Sequence, residues 1–372
     1  MTTERARAWA EISLDNLEHN YRVLRACAPS SRFLGVVKAD AYGHGALAVA
    51  KRLEKLGADY LAVACLAEGE ELRRGGILTP ILILGATAPE LADAVVAGGF
   101  TQALFDLPLA QALSRAAQQQ GRTARVHIKV DTGMSRLGIL AHETQEAARM
   151  VEQLCELPHL EAEGIFTHFA DADGDEAYTM LQFTRFLDLL VCLEERWERC
   201  FSICHCANSA AVLHYPCTHM DMVRPGLALY GCYPTPHRAG LELKPVMALK
   251  CRVATVRDLP ADTPVSYGCT ARVGAHQGRI AVLPVGYADG LHRTLSNRGR
   301  VYLDGKPRPI LGRICMDMCM VALEQGSAVR PGDVAELFGP NLPVEEPAGL
   351  AGTISYELLC GVAPRVPRVL LD

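Results

Sequence analysis

Short hydrophobic runs alternate with longer stretches of helical periodicity between residue 33 and about residue 225. The runs are typical of buried parallel strands, whereas the longer stretches repeat apolar residues at spacings of three and four. Just before the first run, Leu14, Leu17, Tyr21 and Leu24 follow this spacing and share one helical face. The alternation predicts repeated strand-helix units around a parallel sheet.

Eight such runs can be counted in this part of the chain. The predicted strands are residues 33–38, 60–64, 81–84, 102–104, 125–130, 164–168, 201–204 and 220–224. Eight parallel strands are the number that closes a barrel, although an open doubly wound sheet shows the same alternation. The pattern therefore favours an α/β fold with an N-terminal (β/α)8 barrel of the TIM type.

The pattern changes after about residue 240. Runs such as KCRVATV, GRIAVLPVGY and DVAELFG are rich in strand-forming residues and punctuated by Gly and Pro. Asp304-Gly305 is a favourable hairpin turn between two of these runs. We predict a barrel domain over residues 1–240 and a mostly antiparallel β domain over residues 241–372.

Composition narrows the classes of function. The 37 Lys and Arg residues are outnumbered by 42 Asp and Glu residues, so no bulk positive field exists to hold nucleic acid. The first residues lack the apolar core of a signal peptide, and no run of 18 apolar residues follows. We expect a cytoplasmic protein without a membrane segment, and its 14 cysteines as reduced thiols.

Metal binding is not expected. The densest cysteine cluster is Cys200, Cys204 and Cys206, with His205 inside it, and it lacks the paired CxxC units of a zinc ribbon. A metal-dependent hydrolase on a barrel would use clustered His and Asp, for which His127, His168, His205 and Asp221 are candidates. No HxH or HExxH spacing supports that reading.

Unusual polar residues follow several predicted strands, at the end of a barrel where active sites lie. They are Lys38 after the first strand, Arg136 after the fifth, His168 at the end of the sixth, His205 and Ser209 after the seventh, and Arg224 at the end of the eighth. A single lysine at a strand end is ordinarily a solvated charge. Lys38, however, follows an apolar run whose burial would lower its pKa and leave a nucleophilic amine for a Schiff base.

Two short segments could receive a phosphate through backbone N–H groups and a small hydroxyl. They are Asn208-Ser209, which would open a short helix, and Pro225-Gly226 after the eighth strand. In contrast, the GHG at residues 43–45 is too short for a dinucleotide fingerprint, and no GxxxxGK[ST] motif occurs. A nucleotide cofactor is therefore poorly supported.

Nine separated motifs complete the sequence evidence. They are VVKADAYGHG, KVDTGMSRLG, GIFTHFA, CANSAA, VRPGLALYG, VSYGCTAR, LPVGYADG, GRICMDM and ISYELLCGV. In this order they resemble the signatures of the alanine racemases, barrel-type enzymes that depend on pyridoxal 5'-phosphate (PLP). The resemblance covers essentially the whole chain and implies that it interconverts L-alanine and D-alanine. This activity would supply D-alanine for peptidoglycan or, alternatively, serve the catabolism of D-alanine.

The resemblance implies two catalytic bases. Lys38 would form the Schiff base with PLP and act on one face of the substrate, and Tyr267, in VSYG, would act on the other. Racemisation removes the α-proton from one side of a planar carbanion and returns it from the opposite side, so two flanking bases suit it. Family members are head-to-tail homodimers in which this tyrosine reaches the partner's barrel.

The resemblance also implies the residues that hold the cofactor. The phosphate would be held by Tyr42, Ser209, Gly226, Leu227 and Tyr356. His168 would pack near the pyridine ring, and Arg224, oriented by His205, would contact the ring nitrogen. Because an arginine does not readily give up its proton, that nitrogen would stay largely unprotonated.

On the substrate side, Arg136 and the backbone N–H of Met316 would receive the carboxylate of alanine, with Asp317 in a supporting position. Lys129 matches a lysine that is carbamylated in many family members, which would give it a negative charge suited to Arg136. Tyr287, together with Tyr356, would narrow the pocket.

The departures from the family motifs are small. Ser135 replaces a glycine that is usual before the arginine, Met318 replaces a common glutamine, and Asp171 follows HFA where a small residue is frequent. None removes a catalytic group of the family. Ser135 bears on the carboxylate site, since its β-carbon could shift the turn that presents Arg136.

Two other PLP-binding readings share the barrel. Decarboxylases of diamino acids carry a GPxCxxxD-like motif in their second domain, which is absent here. Non-catalytic PLP carriers are shorter and lack that domain, whereas about 130 residues, Tyr267 among them, follow the barrel of this chain. The motifs thus favour the racemases, and turnover is the property that separates them from a carrier.

Overall fold

The computed structural model describes residues 6–197, 201–235, 237–274 and 278–372. Its first part contains ten strands. They are β1 (Ala8–Ser13), β2 (Arg32–Val36), β3 (Tyr60–Val63), β4 (Ile81–Ile83), β5 (Thr101–Leu104), β6 (Ala124–Asp131), β7 (Ile139–Leu140), β8 (Leu160–Phe166), β9 (Ile203–His205) and β10 (Met222–Val223). Strands β2 to β6 and β8 to β10 match the eight predicted strands within a few residues.

These eight strands form one parallel sheet in the order β10-β2-β3-β4-β5-β6-β8-β9, and the short β7 pairs with β6. Two backbone hydrogen bonds join the edge strands, from the N–H of Asp221 to the carbonyl of Cys204 (3.1 Å) and from Arg224 to Ala207 (2.9 Å). The sheet is therefore a nearly closed barrel, and the prediction of a (β/α)8 barrel is confirmed.

Helical segments alternate with these strands. They are α1 (Leu14–Cys27), α2 (Lys38–Gly43), α3 (Ala46–Leu56), α4 (Leu66–Arg74), α5 (Ala92–Ala97), α6 (Leu107–Gln119), α7 (Thr144–Cys155), α8 (Glu176–Trp197) and α9 (Ser209–His214). In α1 the four predicted apolar positions are all buried. The predicted start of α9 is confirmed, because the Asn208 side chain accepts a hydrogen bond from the N–H of Ala211 and caps the helix.

The described residues of the second part of the chain form ten further strands and two α-helices. They are β11 (Met247–Arg252), β12 (Thr255–Asp258), β13 (Pro264–Val265), β14 (Ala271–Arg272), β15 (Arg279–Leu283), β16 (Arg300–Leu303), β17 (Lys306–Pro309), β18 (Cys319–Leu323), β19 (Val334–Phe338), α10 (Glu345–Ala351), α11 (Ser355–Cys360) and β20 (Arg368–Leu371). The predicted turn joins β16 to β17, with Asp304 (φ 56°) and Gly305 (φ 74°) both in the left-handed region.

The larger sheet of this part runs β17-β16-β19-β11-β1-β20, and its pairs are antiparallel except β1 with β20. Strand β1 thus lies in this sheet, although its position falls within the range 1–240 predicted for the barrel. Strand β1 is apolar on the face that packs inward. This pattern does not indicate which of the two sheets the strand joins. We propose that the second domain comprises residues 241–372 together with β1.

One large hydrophobic core runs from the barrel into the second domain. The thirteen cysteines within the described ranges are free thiols, and Cys200 lies outside those ranges. No helix in the described part of the chain is both long and apolar enough to cross a membrane. The core opens at the carboxyl ends of the barrel strands, and the candidate site lies there.

Candidate active site

A cavity of about 560 Å³ opens at the carboxyl ends of the barrel strands. Ten of the residues predicted for the site line it, namely Lys38, Tyr42, Lys129, Arg136, His168, Ser209, Arg224, Gly226, Leu227 and Tyr356. Among the described lining residues, Ile354 and Tyr356 alone come from the second domain. The structure therefore gathers around one space predicted site residues as far apart in the sequence as Lys38 and Tyr356.

Lys38 stands where β2 ends and the chain turns sharply. Residues Ala39–Tyr42 all have positive φ between 52° and 55°, so α2 is a left-handed turn rather than an ordinary helix. The Glu68 carboxylate accepts a hydrogen bond from the N–H of Ala39 (2.8 Å) and fixes the start of this turn. Burial, reinforced by the charge of Arg136, lowers the pKa of Lys38, while Glu68 opposes that shift.

A cradle for an anion lies opposite Lys38. The Ser209 hydroxyl accepts hydrogen bonds from the N–H of Gly226 (2.9 Å) and of Ala228 (3.2 Å), which folds the backbone after β10 against the start of α9. A β-carbon at Gly226 would lie 2.6 Å from the Tyr42 hydroxyl, so glycine at this position allows the hydroxyl to approach the backbone. Burial raises the pKa of Tyr42 and raises that of Tyr356 to about 12, so both phenols stay neutral donors.

Arg224 lies at the floor of the cavity and is buried. Its guanidinium contacts Nδ1 of His205 (2.8 Å) and Nδ1 of His168 (3.2 Å), and donates to the carbonyls of Thr167 (2.8 Å) and Cys206 (3.0 Å). Burial lowers the pKa of Arg224 to about 10, which still leaves it charged at neutral pH. Burial and the charge of Arg224 lower the pKa of both histidines, so both are neutral.

The turn that presents Arg136 is organised by one carboxylate. Asp131 accepts hydrogen bonds from the N–H groups of Gly133 (2.9 Å), Met134 (2.8 Å) and Ser135 (3.1 Å). Ser135 has φ 57°, a conformation that glycine adopts at the least cost, which explains why glycine is usual at this position of the family motif. The serine is nevertheless accommodated, and Arg136 lines the cavity.

Lys129 is buried on the same wall. Its amine donates to the carbonyl of Val130 (3.0 Å) and lies 4.9 Å from the centre of the Phe166 ring. Burial, together with the charges of Arg224 and Arg136, lowers the pKa of Lys129 to about 7. A substantial neutral fraction is therefore present near neutral pH, as carbamylation requires.

Four predicted residues lie in the second domain and do not line the cavity of their own chain: Tyr267, Tyr287, Met316 and Asp317. Tyr267 is 69% exposed, Met316 53% and Tyr287 43%. Backbone hydrogen bonds from Tyr287 to Cys315 (3.0 Å) and from Ala288 to Met316 (3.0 Å) tie two of these segments together. The structure of one chain thus brings together the residues predicted to hold the cofactor, but not Tyr267, the predicted second base.

Sequence reasoning missed two contributors to the site. Phe166 stacks on His205 with ring centres 4.7 Å apart. The Lys129 amine and the Arg224 guanidinium both lie over the Phe166 ring. Glu68 fastens the turn after Lys38. A phenylalanine in an apolar strand is typical of any core, and a glutamate on an amphipathic helix is typical of an exposed face, so neither gave a signal.

The described residues contain no group of three or more His, Cys, Asp or Glu side chains placed to hold a metal ion. His127, His168 and His205, which were candidates for a metal-dependent hydrolase, instead take part in contacts around Arg224.

Two family models match the chain. Residues 12–234 match "Alanine racemase, N-terminal domain", and residues 246–370 match "Alanine racemase, C-terminal domain". The alanine racemase of Desulforamulus reducens is 45% identical over 368 residues, with 98% of each chain covered. That of Methanococcus maripaludis is 43% identical over 371 residues, again covering 98% of each.

Solved structures agree with the sequence relatives. The alanine racemase of Clostridium difficile 630 has a TM-score of 0.92 and 38% identity, covering 98% of this chain and 96% of its own. The enzyme from D-cycloserine-producing Streptomyces lavendulae also has a TM-score of 0.92, with 35% identity and coverage of 99% and 97%. The two domain models, the sequence relatives and the cavity together show that the chain belongs to the alanine racemase family.

Proposed function

We propose that this chain interconverts L-alanine and D-alanine with PLP as its cofactor. The observation that carries the proposal is the cavity itself. It places Lys38, with its lowered pKa, within one space with the Ser209 and Gly226 cradle and the charged Arg224, in a chain matched to the family over nearly its whole length.

The residues present fit PLP at both ends of the molecule. Ser209, Gly226 and Leu227 would hold the phosphate with the Tyr42 and Tyr356 hydroxyls, and the lack of a β-carbon at Gly226 lets the Tyr42 hydroxyl lie close to this backbone. Arg224, with His168 beside it, would face the ring nitrogen from the cavity floor. When bound, PLP supplies an electron sink that makes the α-proton of an amino acid acidic.

The chain's own groups would then handle the proton. Because the pKa of Lys38 is lowered, its side chain can exist as a neutral amine. This amine can accept the α-proton on its side of the substrate. Arg136 would bind the substrate carboxylate at the cavity mouth. Arg224 remains charged and would keep the ring nitrogen unprotonated, since it holds its proton firmly.

The second base requires a second chain. Tyr267 is exposed and lies outside the cavity of its own subunit, and the exposed Met316 and Met318 accompany it in the second domain. We propose a head-to-tail homodimer in which Tyr267 and Met316 of each subunit complete the other subunit's cavity, with Tyr287 at the entrance. A monomer would then be almost inactive.

A direct test combines chirality with isotope exchange. The purified protein with PLP is incubated with L-alanine in deuterium oxide, and we expect deuterated D-alanine as product. Lys38→Ala should abolish both the exchange and the borohydride-sensitive absorbance of the bound cofactor, whereas Lys51→Ala, at an exposed lysine of α3, should retain both. Absorbance without exchange would instead support a carrier.

Mixing two inactive variants tests the shared site. Lys38→Ala and Tyr267→Phe each remove one base, but a mixed dimer would contain one site with both bases intact. After dissociation and random reassociation, about a quarter of the sites should be active. Failure to recover activity from correctly mixed dimers would contradict the head-to-tail arrangement.

The biological role remains a prediction. Supply of D-alanine for peptidoglycan in the cytoplasm would be supported if the gene relieves the D-alanine requirement of a racemase-deficient bacterium. The Lys38→Ala variant is the matched control, and rescue by that variant would contradict a role based on racemisation.

A further inference from the structure

A line of polar side chains crosses the barrel interior beneath Arg224. Nη1 of Arg224 lies 2.8 Å from Nδ1 of His205, and Nε2 of His205 lies 2.8 Å from Nδ1 of His127. Nε2 of His127 then lies 3.4 Å from a carboxylate oxygen of Glu163. Barrel interiors are ordinarily filled by apolar branched side chains, so this line calls for a physical reason.

The direction of the hydrogen bonds follows from Arg224. A guanidinium can only donate, so in the observed arrangement, with Nη1 of Arg224 against Nδ1 of His205, Nδ1 accepts and the proton of the neutral imidazole sits on Nε2. That N–H donates to Nδ1 of His127, which leaves the proton of His127 on Nε2. Burial keeps the pKa of both imidazoles low, so each is neutral and carries a single N–H. The line therefore ends at the Nε2–H of His127, which makes no hydrogen bond with any described residue and has a carboxylate oxygen of Glu163 3.4 Å away.

The backbone is shaped to place Glu163 at this end. In the pairing of β6 with β8, Val126 lies opposite Ala162 and His127 lies opposite Gly164, so Glu163 is an extra residue in a β-bulge. A bulge re-aims the side chain that it carries. A β-carbon at Gly164 would lie 2.7 Å from Nδ1 of His127, so the imidazole ring rests directly on this glycine.

Glu163 is well suited to end the line as an anion. Its carboxylate accepts hydrogen bonds from the hydroxyls of Tyr60 (2.7 Å) and Thr101 (3.2 Å). Burial alone would raise the pKa of Glu163, but the contacts with His127 and Tyr60 lower it below its usual range. An ionised carboxylate cannot donate and attracts the positive end of an N–H group, so at 3.4 Å its charge favours the His127 tautomer that carries the proton on Nε2.

We propose that Glu163 is a positioning residue for Arg224, acting through His127 and His205. Its carboxylate fixes the tautomer of His127, which fixes that of His205, which leaves Nδ1 of His205 as an acceptor for the guanidinium. Without that bias, His205 can carry its proton on Nδ1, where it faces the N–H groups of Arg224 and pushes the guanidinium away. The consequence for catalysis rests on the proposed function, in which Arg224 faces the cofactor ring.

The test substitutes Glu163→Gln, whose amide can donate to His127 and so removes the bias. Glu161→Gln is the matched control, because Glu161 lies two residues earlier on the same strand and is exposed. Histidine side chains labelled with ¹⁵N report their tautomers by NMR, with and without PLP, after assignment by substituting each histidine in turn. Steady-state kinetics with alanine are measured on the same samples.

In the wild type and in Glu161→Gln we expect His127 and His205 each in one tautomer, protonated at Nε2. Glu163→Gln should give mixed tautomers at both histidines and lower kcat by about ten-fold, the loss expected from disturbing one hydrogen bond to a charged group, with KM for alanine little changed. Unchanged tautomers in Glu163→Gln would overturn the inference.

Tyr60→Phe separates positioning from simple support of the barrel. It removes one hydrogen bond from the same carboxylate but leaves the anion and both histidines in place. We expect lower thermal stability with unchanged tautomers and nearly unchanged kcat. If Tyr60→Phe and Glu163→Gln lower stability and kcat equally, the role is structural and the inference fails. If the tautomers shift as expected but the wild type does not racemise alanine, the proposed function fails while the link from Glu163 to His205 stands.

Discussion

The left-handed turn after Lys38 should depend on Glu68. One carboxylate oxygen of Glu68 accepts from the N–H of Ala39 (2.8 Å), and the other accepts from the N–H of Ala64 (2.7 Å), just after β3. The side chain thereby ties the first residue of the turn to the neighbouring strand. In Glu68→Gln a single oxygen remains to accept, and the amide nitrogen faces a backbone N–H.

The size of the effect follows from the backbone. A left-handed helical conformation costs about 1–2 kcal/mol for each residue with a β-carbon, so residues Ala39–Tyr42 together cost about 4–8 kcal/mol. A hydrogen bond to a charged group contributes about 1.5–3 kcal/mol, and Glu68 is only half-buried, so we take about 1–2 kcal/mol for the lost bond. Local opening should then become about 5- to 30-fold more frequent.

Hydrogen exchange followed by mass spectrometry measures this opening. The peptide spanning residues 38–46 should exchange about 5- to 30-fold faster in Glu68→Gln than in the wild type, and racemisation should slow because Lys38 loses its fixed position. Glu70→Gln is the control, since Glu70 lies exposed on the same helix α4. Equal exchange of this peptide in the wild type and Glu68→Gln would refute the reasoning.

Three further predictions follow from other parts of the structure. Tyr356→Ala should raise the ratio of serine to alanine racemisation about ten-fold by enlarging the pocket, and an unchanged ratio would remove Tyr356 from the specificity site. Burial lowers the pKa of His44 from 6.5 to about 4, so the unfolded chain binds the extra proton first as the pH falls, and stability should drop between these values by at most about 3 kcal/mol. In His44→Gln the free energy of unfolding, measured by denaturation at each pH, should change less with pH over that range. An equal loss of stability in the wild type and in His44→Gln would argue against a role for His44. With a pKa of about 7, Lys129 should form a carbamate visible by NMR in ¹³C-bicarbonate, and a signal that persists in Lys129→Gln would assign it elsewhere.

The barrel could be predicted from the sequence because its strands are buried on both faces and its helices on one. The periodicity of apolar residues is enough to distinguish these strands from these helices. In helix α1, Leu14, Leu17 and Leu24 are buried as their spacing indicates. Strand β1 shows the limit of this signal. An apolar strand can satisfy its backbone in either domain, and its pairing with β11 and β20 depends on residues far along the chain.

The site could be predicted where a residue's chemistry is unusual for its place, as with Lys38 or Arg224 at strand ends. Glu163 was not predicted, because its role depends on a one-residue bulge between β6 and β8 that no local pattern marks. The left-handed conformation of residues 39–42 was not predicted either, since three of those four residues are not ones that favour positive φ. Both features are set by tertiary contacts rather than by local preference.

The charged residues that line the cavity bear on which substrates it binds. Among the described lining residues, Lys38, Lys129, Arg136 and Arg224 are basic, and Asp173 is the one carboxylate. Burial comes first in lowering the pKa of both lysines, and repulsion from the arginines adds to it. An anion in the cavity relieves that repulsion, so binding of a phosphate or a carboxylate is coupled to protonation of the lysines.

The same field discriminates between substrates. An amino acid with a small neutral side chain would bring its carboxylate to Arg136 and add no further positive charge. A diamino acid would bring a second ammonium group close to Arg136 and Arg224, with Asp173 as the one carboxylate among the described lining residues. We therefore expect repulsion from the two arginines, together with the bulk of Tyr356, to weaken binding of a diamino acid, which gives a physical reason, independent of motifs, to expect racemisation of alanine and not decarboxylation of a diamino acid on this barrel.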